Sequence, residues 1–401
     1  MLKEKLVKYK IGYYTGSNIQ HLTPLLLLYS HLGGIFYIYK NQDTYNYLRE
    51  KYSRLSINIY FSDSISDIKS AIRQSRIKLM IYSDFSELDL VKSIQTLHDC
   101  GDKNYSEHPE IVKYDLLFLA GEKIKEKLEK LGILKKIPKW EMTGYPKLDP
   151  IMSNKLVGTK KKVFDNGRKT ILYAPTLLNE SGKIHEQSSL PLWGKKIVTS
   201  LYEKYNVIIK YHGIIRRRSD NIYKQIDNLI LKLDAEENVR LIIDDNIVEY
   251  MVQADLVITD ISSVAYEWFH FNKPIIFLNP EPGYFKRSED IFSNSLSWQG
   301  GDVLENDDEL LQYVEKNLFE DKYFEARSKL LNYTVYKPDG KALDRQIKQV
   351  LKLYKKYEKK SYPWFFIKCY LLKRLRRIKY KLMLRTYNKK VKISSPWKKA
   401  Q

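Results

Sequence analysis

Short apolar runs recur along this chain, each followed by a stretch whose apolar residues fall at helical spacing. The pattern is clearest in the second half. KTILYAPT (169–176), KYNVIIKYH (204–212), NVRLIID (238–244), ADLVITD (254–260) and KPIIFLN (273–279) are runs rich in Val, Ile and Leu. Such runs are what strands covered on both faces look like. Helical stretches at 192–203, 218–234, 246–253, 262–271 and 307–317 supply the cover. Strands alternating with helices form a parallel sheet flanked by helices, so the fold class is α/β.

The first half repeats the scheme. Strands are expected at 10–16, 34–40, 55–61, 77–83 and 93–98, with helices at 17–32, broken or kinked near Pro24, and at 43–52, 65–75 and 121–131. The pattern breaks over 138–168, where PKWEMTGYPKLDP is turn-rich and VGTKKKVFDNGRK is polar and basic, which reads as a linker. A chain of 401 residues is too long for one compact domain and comfortable for two. The expectation is two Rossmann-like, doubly wound domains facing a cleft, the architecture called GT-B. Residues 1–155 form the first domain and 156–350 the second, with a closing helix from about 335 to 360. Ligands in such folds sit at the carboxyl ends of strands.

The net charge of +21 is unevenly spread. Residues 351–401 hold 18 Lys or Arg and one acid, Glu358, for a net of +17, which leaves +4 for the rest of the chain. A basic tail on a nearly balanced body is an electrostatic docking device more than a substrate groove. Within it, Trp364, Ile367, Leu371, Leu375, Ile378 and Leu382 lie at helical spacing among the basic residues. This is the pattern of a basic amphipathic helix on an anionic membrane surface, expected through residues 361–392. The alternatives are a helix packed back on the body, or a nucleic-acid arm. The arm would waste the apolar stripe, so no nucleic-acid partner is expected. No run is long and apolar enough for a membrane span, and the first residues lack a signal-peptide core. The expected location is the cytoplasm, on the inner face of the cell membrane. Cys100 and Cys369 are the only cysteines, which argues against a disulfide framework and excludes a cysteine-based zinc site.

The segment ADLVITDISSVAYEWFHFNKPIIFLNP (254–280) is the sharpest in the chain. A buried strand ends at Thr259-Asp260, a turn carries Ser262-Ser263, and a helix begins at once. Unpaired N–H groups at a helix start, beside two hydroxyls, suit a phosphate. Glu267 follows about one helical turn later, within reach of ribose hydroxyls. Spacing alone equally allows Ser262 to be a plain N-cap and Glu267 a first-turn acid. Asp244 and Asp245 read as a helix N-cap, His108 as a surface turn, and His21 and His31 as packed side chains. No His, Asp or Glu cluster has metal-ligand spacing, and neither metal nor cofactor is expected.

These blocks resemble the CDP-glycerol glycerophosphotransferase family of teichoic-acid biosynthesis. That family carries a strand, Thr-Asp-Tyr-Ser-Ser, a helix with an acid, then Pro-Ile-Ile-Phe; here Ile261 replaces the Tyr and Glu267 the Asp. ILYAPT (171–176), TGYPKLD (143–149), KYDLLFLAGE (113–122) and DGKALDR (339–345) match further family blocks in order. The resemblance implies a nucleotide donor held by Thr176, Thr259, Asp260, Ser262, Ser263, Glu267 and Arg216, with His212 beside its phosphates. Arg217 and Arg218 read as a solvated helix start. His98, where the family has Trp-His-Gly-Thr-Pro…Lys, is implied as the base that deprotonates the acceptor hydroxyl. Leu97, Asp99 and Cys100 depart from that pattern, and Asp99 is a candidate to share the base role, since an adjacent carboxylate raises a His pKa. Lys103 corresponds to the family Lys. It is expected on the acceptor side with Ser17 and Asn18, which follow the first strand near Thr15 and Gly16.

The expected reaction moves glycerol- or ribitol-phosphate from a CDP-linked donor to a hydroxyl of a lipid-linked or polymeric cell-surface glycan, releasing CMP. A GT-B glycosyltransferase using a CMP- or UDP-sugar is the alternative within enzymes. A non-catalytic, membrane-bound partner protein is the alternative outside them.

Overall fold

The computed structural model describes residues 9–16, 19–52, 57–97, 99–103, 107–152, 162–178, 187–211, 221–243, 247–306 and 309–390. The chain divides into two compact units. The first comprises residues 1–99, 105–149 and 339–401, and the second 100–104 and 150–338.

In the first unit the strands are β1 (Ile11–Thr15), β2 (Ile35–Tyr39), β3 (Ile59–Ser62), β4 (Leu79–Tyr82), β5 (Lys92–Gln95), β6 (Leu116–Leu119) and β7 (Trp140–Met142). They form a parallel sheet in the order β3-β2-β1-β4-β5-β6-β7. Helices α1 (Thr23–Leu32), α2 (Gln42–Lys51), α3 (Ile65–Gln74) and α4 (Glu122–Lys130) cover it. Asn41 and Ser64 start α2 and α3 by accepting the Thr44 and Asp67 N–H groups, as N-cap side chains do. Pro24 falls in the first turn of α1, where its missing N–H costs nothing, so it starts that helix and a 3-10 turn precedes it.

Short α5 (Asp149–Met152) leads into the second unit. Its strands are β8 (Thr170–Tyr173), β9 (Asn206–Lys210), β10 (Val239–Ile242), β11 (Leu256–Thr259), β12 (Ile275–Leu278) and β13 (Asp302–Leu304). They pair in parallel in the order β10-β9-β8-β11-β12-β13. Helices α6 (Leu190–Leu201), α7 (Asn221–Lys232), α8 (Val248–Met251), α9 (Val264–Phe269), α10 (Leu310–Phe319) and α11 (Phe324–Thr334) accompany them. Trp193, Ile197 and Leu201 of α6 pack with Ile226 and Ile230 of α7 over Ile171, Val207 and Ile258. In each sheet the strand order reverses once, between β1 and β4 and between β8 and β11, so each has a topological switch point.

The chain returns to the first unit through α12 (Ala342–Glu358) and α13 (Tyr362–Lys390). α12 sets Val350 and Tyr354 against the sheet face that carries Tyr13, Phe36 and Ile81. Lys78 donates to the Tyr357 and Lys360 carbonyls at its far end, where helix carbonyls lack partners. α13 covers the opposite face, setting Phe365 and Cys369 against Ile68, Ile72 and Tyr82. The segment expected to stand apart as a tail is thus one of the layers of the first unit. Its buried face runs through Phe365, Cys369, Lys373 and Tyr380, whereas Trp364, Ile367, Leu371, Leu375, Ile378 and Leu382 are 51–77% exposed. At 100° per residue these two sets lie on nearly opposite sides of the helix.

A buried ion cluster fastens α13. Lys373 Nζ lies 2.8 Å from Glu87 and 3.1 Å from Asp115, and Lys92 and Arg376 reach Asp115 at 2.7 and 2.8 Å. Burial would raise the Asp115 carboxyl, but Lys373, Lys92 and Arg376 outweigh it and hold the group well below the usual carboxylate range. Burial pushes Glu87 up to about 7, against the pull of Lys373.

Candidate active site

The switch point of the second unit lies between β8 and β11. Thr176 follows the first of these strands and the Asp260–Ser263 turn follows the second. Asp260 is fully buried. Its carboxylate accepts from the Thr176 N–H at 3.0 Å, the Ser189 N–H at 2.7 Å and the Ser189 hydroxyl at 2.8 Å. Burial pushes the Asp260 carboxyl up to about 6; the Ser189 and Thr176 bonds and the charge of Lys103 partly offset that. Thr259 is equally buried and donates to the Ala174 carbonyl at 2.7 Å. Thr259 and Asp260, expected among the donor contacts, use these bonds to hold the ends of β8 and β11 together.

Residues 100–103 belong to the second unit. Asp102, 4% exposed, accepts from the Tyr266 hydroxyl at 2.6 Å and from the Ser297 N–H at 2.8 Å. These two bonds pin the segment to α9 and to the 3-10 turn Leu296–Gly300. Gly101 lies so close to the turn that a Cβ there would stand 3.0 Å from the Ser263 Cβ, and any side chain would push the turn by a few tenths of an ångström. The result is that Lys103 Nζ donates to the Thr176 hydroxyl at 2.9 Å. Lys103, expected on the acceptor side with Ser17 and Asn18, lies in the second unit. Lys103, Thr176, Ser262 and Ser263 are all half-buried, so one cation and three hydroxyls remain accessible around the switch point.

The helix start itself differs from expectation. α9 is six residues long. The N–H groups of Ala265, Tyr266 and Glu267 donate to the Ser262 and Ser263 carbonyls, and that of Val264 to the Ser262 hydroxyl at 3.3 Å. The row of unpaired donors inferred from the sequence is therefore largely closed on itself. Glu267 is 2% exposed. His270, at the end of α9, is kept neutral by burial, which pushes its imidazole down to about 4, and its Nδ1 lies 3.0 Å from the Tyr266 carbonyl.

In the first unit the loop after β5 is braced from below. Gln95, fully buried, donates to the Asp84 carbonyl at 2.6 Å and accepts from the Leu97 N–H at 3.0 Å. Leu97 takes φ of +55°, a left-handed conformation that costs a residue with a Cβ about 1 kcal/mol. Half-buried Asp99 follows two residues later. His98, Ser17, Asn18, His212, Arg216, Arg217, Arg218, Asp244 and Asp245 lie outside the described residues. His108 is half-buried, caps the 3-10 helix Pro109–Lys113 and stacks on Phe85 at 5.0 Å. Cys100 and Cys369 are both buried and form no disulfide. Among the described residues no group of three or more His, Cys, Asp or Glu is placed to hold a metal ion, and no helix is long and apolar enough to cross a membrane.

Sequence comparison bears on what this arrangement serves. The model of the CDP-glycerol:poly(glycerophosphate) glycerophosphotransferase family matches residues 114–352, which includes both edges of the switch point. The chain belongs to that family. Among the glycerophosphotransferase relatives, the teichoic acid poly(ribitol-phosphate) polymerase of Bacillus spizizenii is 24% identical over 216 residues, covering 52% of this chain and 33% of its own. The teichoic acid glycerol-phosphate primase of Bacillus subtilis is 25% identical over 176 residues, covering 43% and 42%. The chain thus matches less than half the length of these relatives. A variant of the wall teichoic acid polymerase TagF shares the fold, with a TM-score of 0.61, 15% identity and coverage of 89% of this chain and 92% of the other. The α/β, two-sheet GT-B reading of the sequence agrees with that likeness.

Proposed function

We propose that this glycerophosphotransferase-family chain transfers glycerol- or ribitol-phosphate from a CDP-linked donor to a hydroxyl of a lipid-linked or polymeric cell-surface glycan. The observation that carries the reading is Lys103 held at 2.9 Å from Thr176, beside the Ser263 turn, at the switch point of a domain that matches this family. In the reaction the acceptor oxygen attacks the donor's β-phosphorus. The bond from that phosphorus to the bridging oxygen breaks, and CMP leaves with the electron pair. His98, with Asp99 alongside, takes the acceptor proton. Lys103 offsets the charge gathering on the departing phosphate, with Thr176, Ser262 and Ser263 donating to its oxygens. Glu267 and Arg216 retain their expected donor roles, as Ser17 and Asn18 do for the acceptor. Side chains supply the positive charge in this scheme, which calls for no metal and no cofactor. Catalysis is then positioning plus charge stabilisation.

The same reading places the protein in the cytoplasm on the inner face of the membrane, through residues 361–392. The exposed stripe of α13 supports this. Lys368, Arg374 and Lys381 are exposed alongside it, and each cation near an anionic surface adds about 1 kcal/mol.

The test is nucleotide release by the full chain with a lipid-linked acceptor: CMP from CDP-glycerol, CDP-ribitol or CMP-sugars, and UDP from UDP-sugars. A CDP-polyol is expected to be the substrate. Lys103→Met should cut turnover about a hundredfold, and Lys103→Arg less. Turnover with sugar nucleotides alone, or no CDP binding by calorimetry, overturns the proposal.

A further inference from the structure

A cavity of about 710 Å³ lies in the first unit between α13 and the turns that precede β6 and β7. Lys135, Lys136, Arg376 and Lys379 line it, and no carboxylate does among the described residues. Arg376 spends one guanidinium nitrogen on Asp115 at 2.8 Å, and its remaining N–H groups are left for other acceptors. Arg376 is paired with Asp115, and the exposed Lys135, Lys136 and Lys379 give the cavity a positive field that favours an anion. A phosphate ester, with several acceptor oxygens and negative charge, is the chemistry that fits.

The rest of the wall is apolar, and its continuity selects the carrier of that phosphate. Val112 and Tyr380 form part of it, and Tyr380 is held by the Lys113 ammonium 4.6 Å from its ring centroid. Leu382 lines the cavity and also ends the exposed stripe of α13, where it is 56% exposed. An anion seated among the cations would therefore adjoin a strip of surface that takes hydrocarbon. That combination suits an amphiphile better than a soluble phosphate. The residues that precede β6 and β7 lie at the amino ends of these strands, the opposite end of the sheet from the loop that carries Asp99. The cavity is therefore separate from the reacting acceptor hydroxyl.

We propose that this cavity seats the phosphate headgroup of a membrane phospholipid, whose chains lie along the outward stripe of α13. The inference rests on the membrane reading above and adds to it a specific point of attachment.

Vesicle flotation with the full chain tests it, using phosphatidylcholine vesicles that carry either phosphatidic acid or oleic acid at matched surface potential. The wild type should bind the phosphatidic acid vesicles at least fivefold more tightly than the oleate vesicles. Lys135→Gln/Lys136→Gln/Lys379→Gln should abolish that preference and weaken phosphatidic acid binding at least tenfold. Lys368→Gln/Arg374→Gln/Lys381→Gln removes the same charge from one helix outside the cavity; it should weaken both vesicle types alike and keep the preference. Circular dichroism confirms that both variants fold. Absence of a preference in the wild type, or equal behaviour of the two variants, overturns the cavity proposal and leaves the membrane reading standing. Failure of the wild type to bind any vesicle overturns both. Tight binding of inorganic phosphate at the cavity, with no vesicle preference, overturns the lipid as its source.

Discussion

The Asp102 carboxylate accepts a 2.6 Å hydrogen bond from the Tyr266 hydroxyl, joining two residues 164 positions apart in sequence. Both groups are buried, and the bond fixes the backbone that carries Lys103. Tyr266→Phe keeps the ring, including its edge contact with Phe269 at 5.4 Å, and removes only the donor. The expected cost is about 1–2 kcal/mol in urea unfolding. The donor KM should rise severalfold as Lys103 loosens. Unchanged KM with the stability loss intact would show that the clamp serves the fold alone.

Asp260 gives the second unit a pH dependence of definite sign. Its folded pKa, pushed up to about 6, lies above the ordinary value of 3.8. Its contribution to stability is therefore complete below about pH 4 and is lost as pH rises through about 6. The linked free energy is about 3 kcal/mol. The unfolding free energy of the wild type minus that of Asp260→Asn should shrink by an amount of that order between pH 4.5 and pH 7.5. A flat difference would mean that the carboxylate stays charged in the folded protein.

Lys373 is the centre of the cluster under α13, at 2.8 Å from Glu87 and 3.1 Å from Asp115. Lys373→Met leaves buried acids without their main cation and should cost about 3–5 kcal/mol in denaturant unfolding. Adding Glu87→Leu to that variant should recover part of the loss, because removing both partners is cheaper than removing one. Additive losses would refute the coupling.

Gln95 offers a test of the loop that carries Asp99. Gln95→Leu removes the acceptor of the Leu97 N–H; the Asp84 carbonyl keeps the Tyr114 hydroxyl at 2.9 Å. The expected result is about 1–2 kcal/mol of stability loss. A tenfold fall in kcat, with donor KM within twofold, is the signature of a disturbed base. If kcat holds steady, the brace has no part in catalysis.

Most of the two-sheet scheme was legible because buried parallel strands carry long apolar runs, as in TILY and LVIT. Strands β7 and β13 escaped because WEM and DVL are three residues each, too short for any period, and WEM lies in a segment that reads as linker. The Ser262-Ser263 turn was visible from its strand–turn–helix grammar, but which donors remain available there was not. That depends on a short helix closing on its own carbonyls. Asp102 and Gln95 gave no signal, since their partners Tyr266 and Asp84 follow no fixed sequence spacing. Lys103 stands out by its family position, but its place in the second unit does not follow from its place early in the chain.

Because α13 is apolar inward at Phe365 and Cys369 as well as outward at Leu371 and Leu375, truncating the protein near residue 360 would do more than remove the outward stripe. It would unroof Ile68, Ile72 and Tyr82 and leave a greasy, aggregation-prone shell. Loss of vesicle binding by such a truncation would be uninformative, and only substitutions on the outward side can separate tethering from collapse.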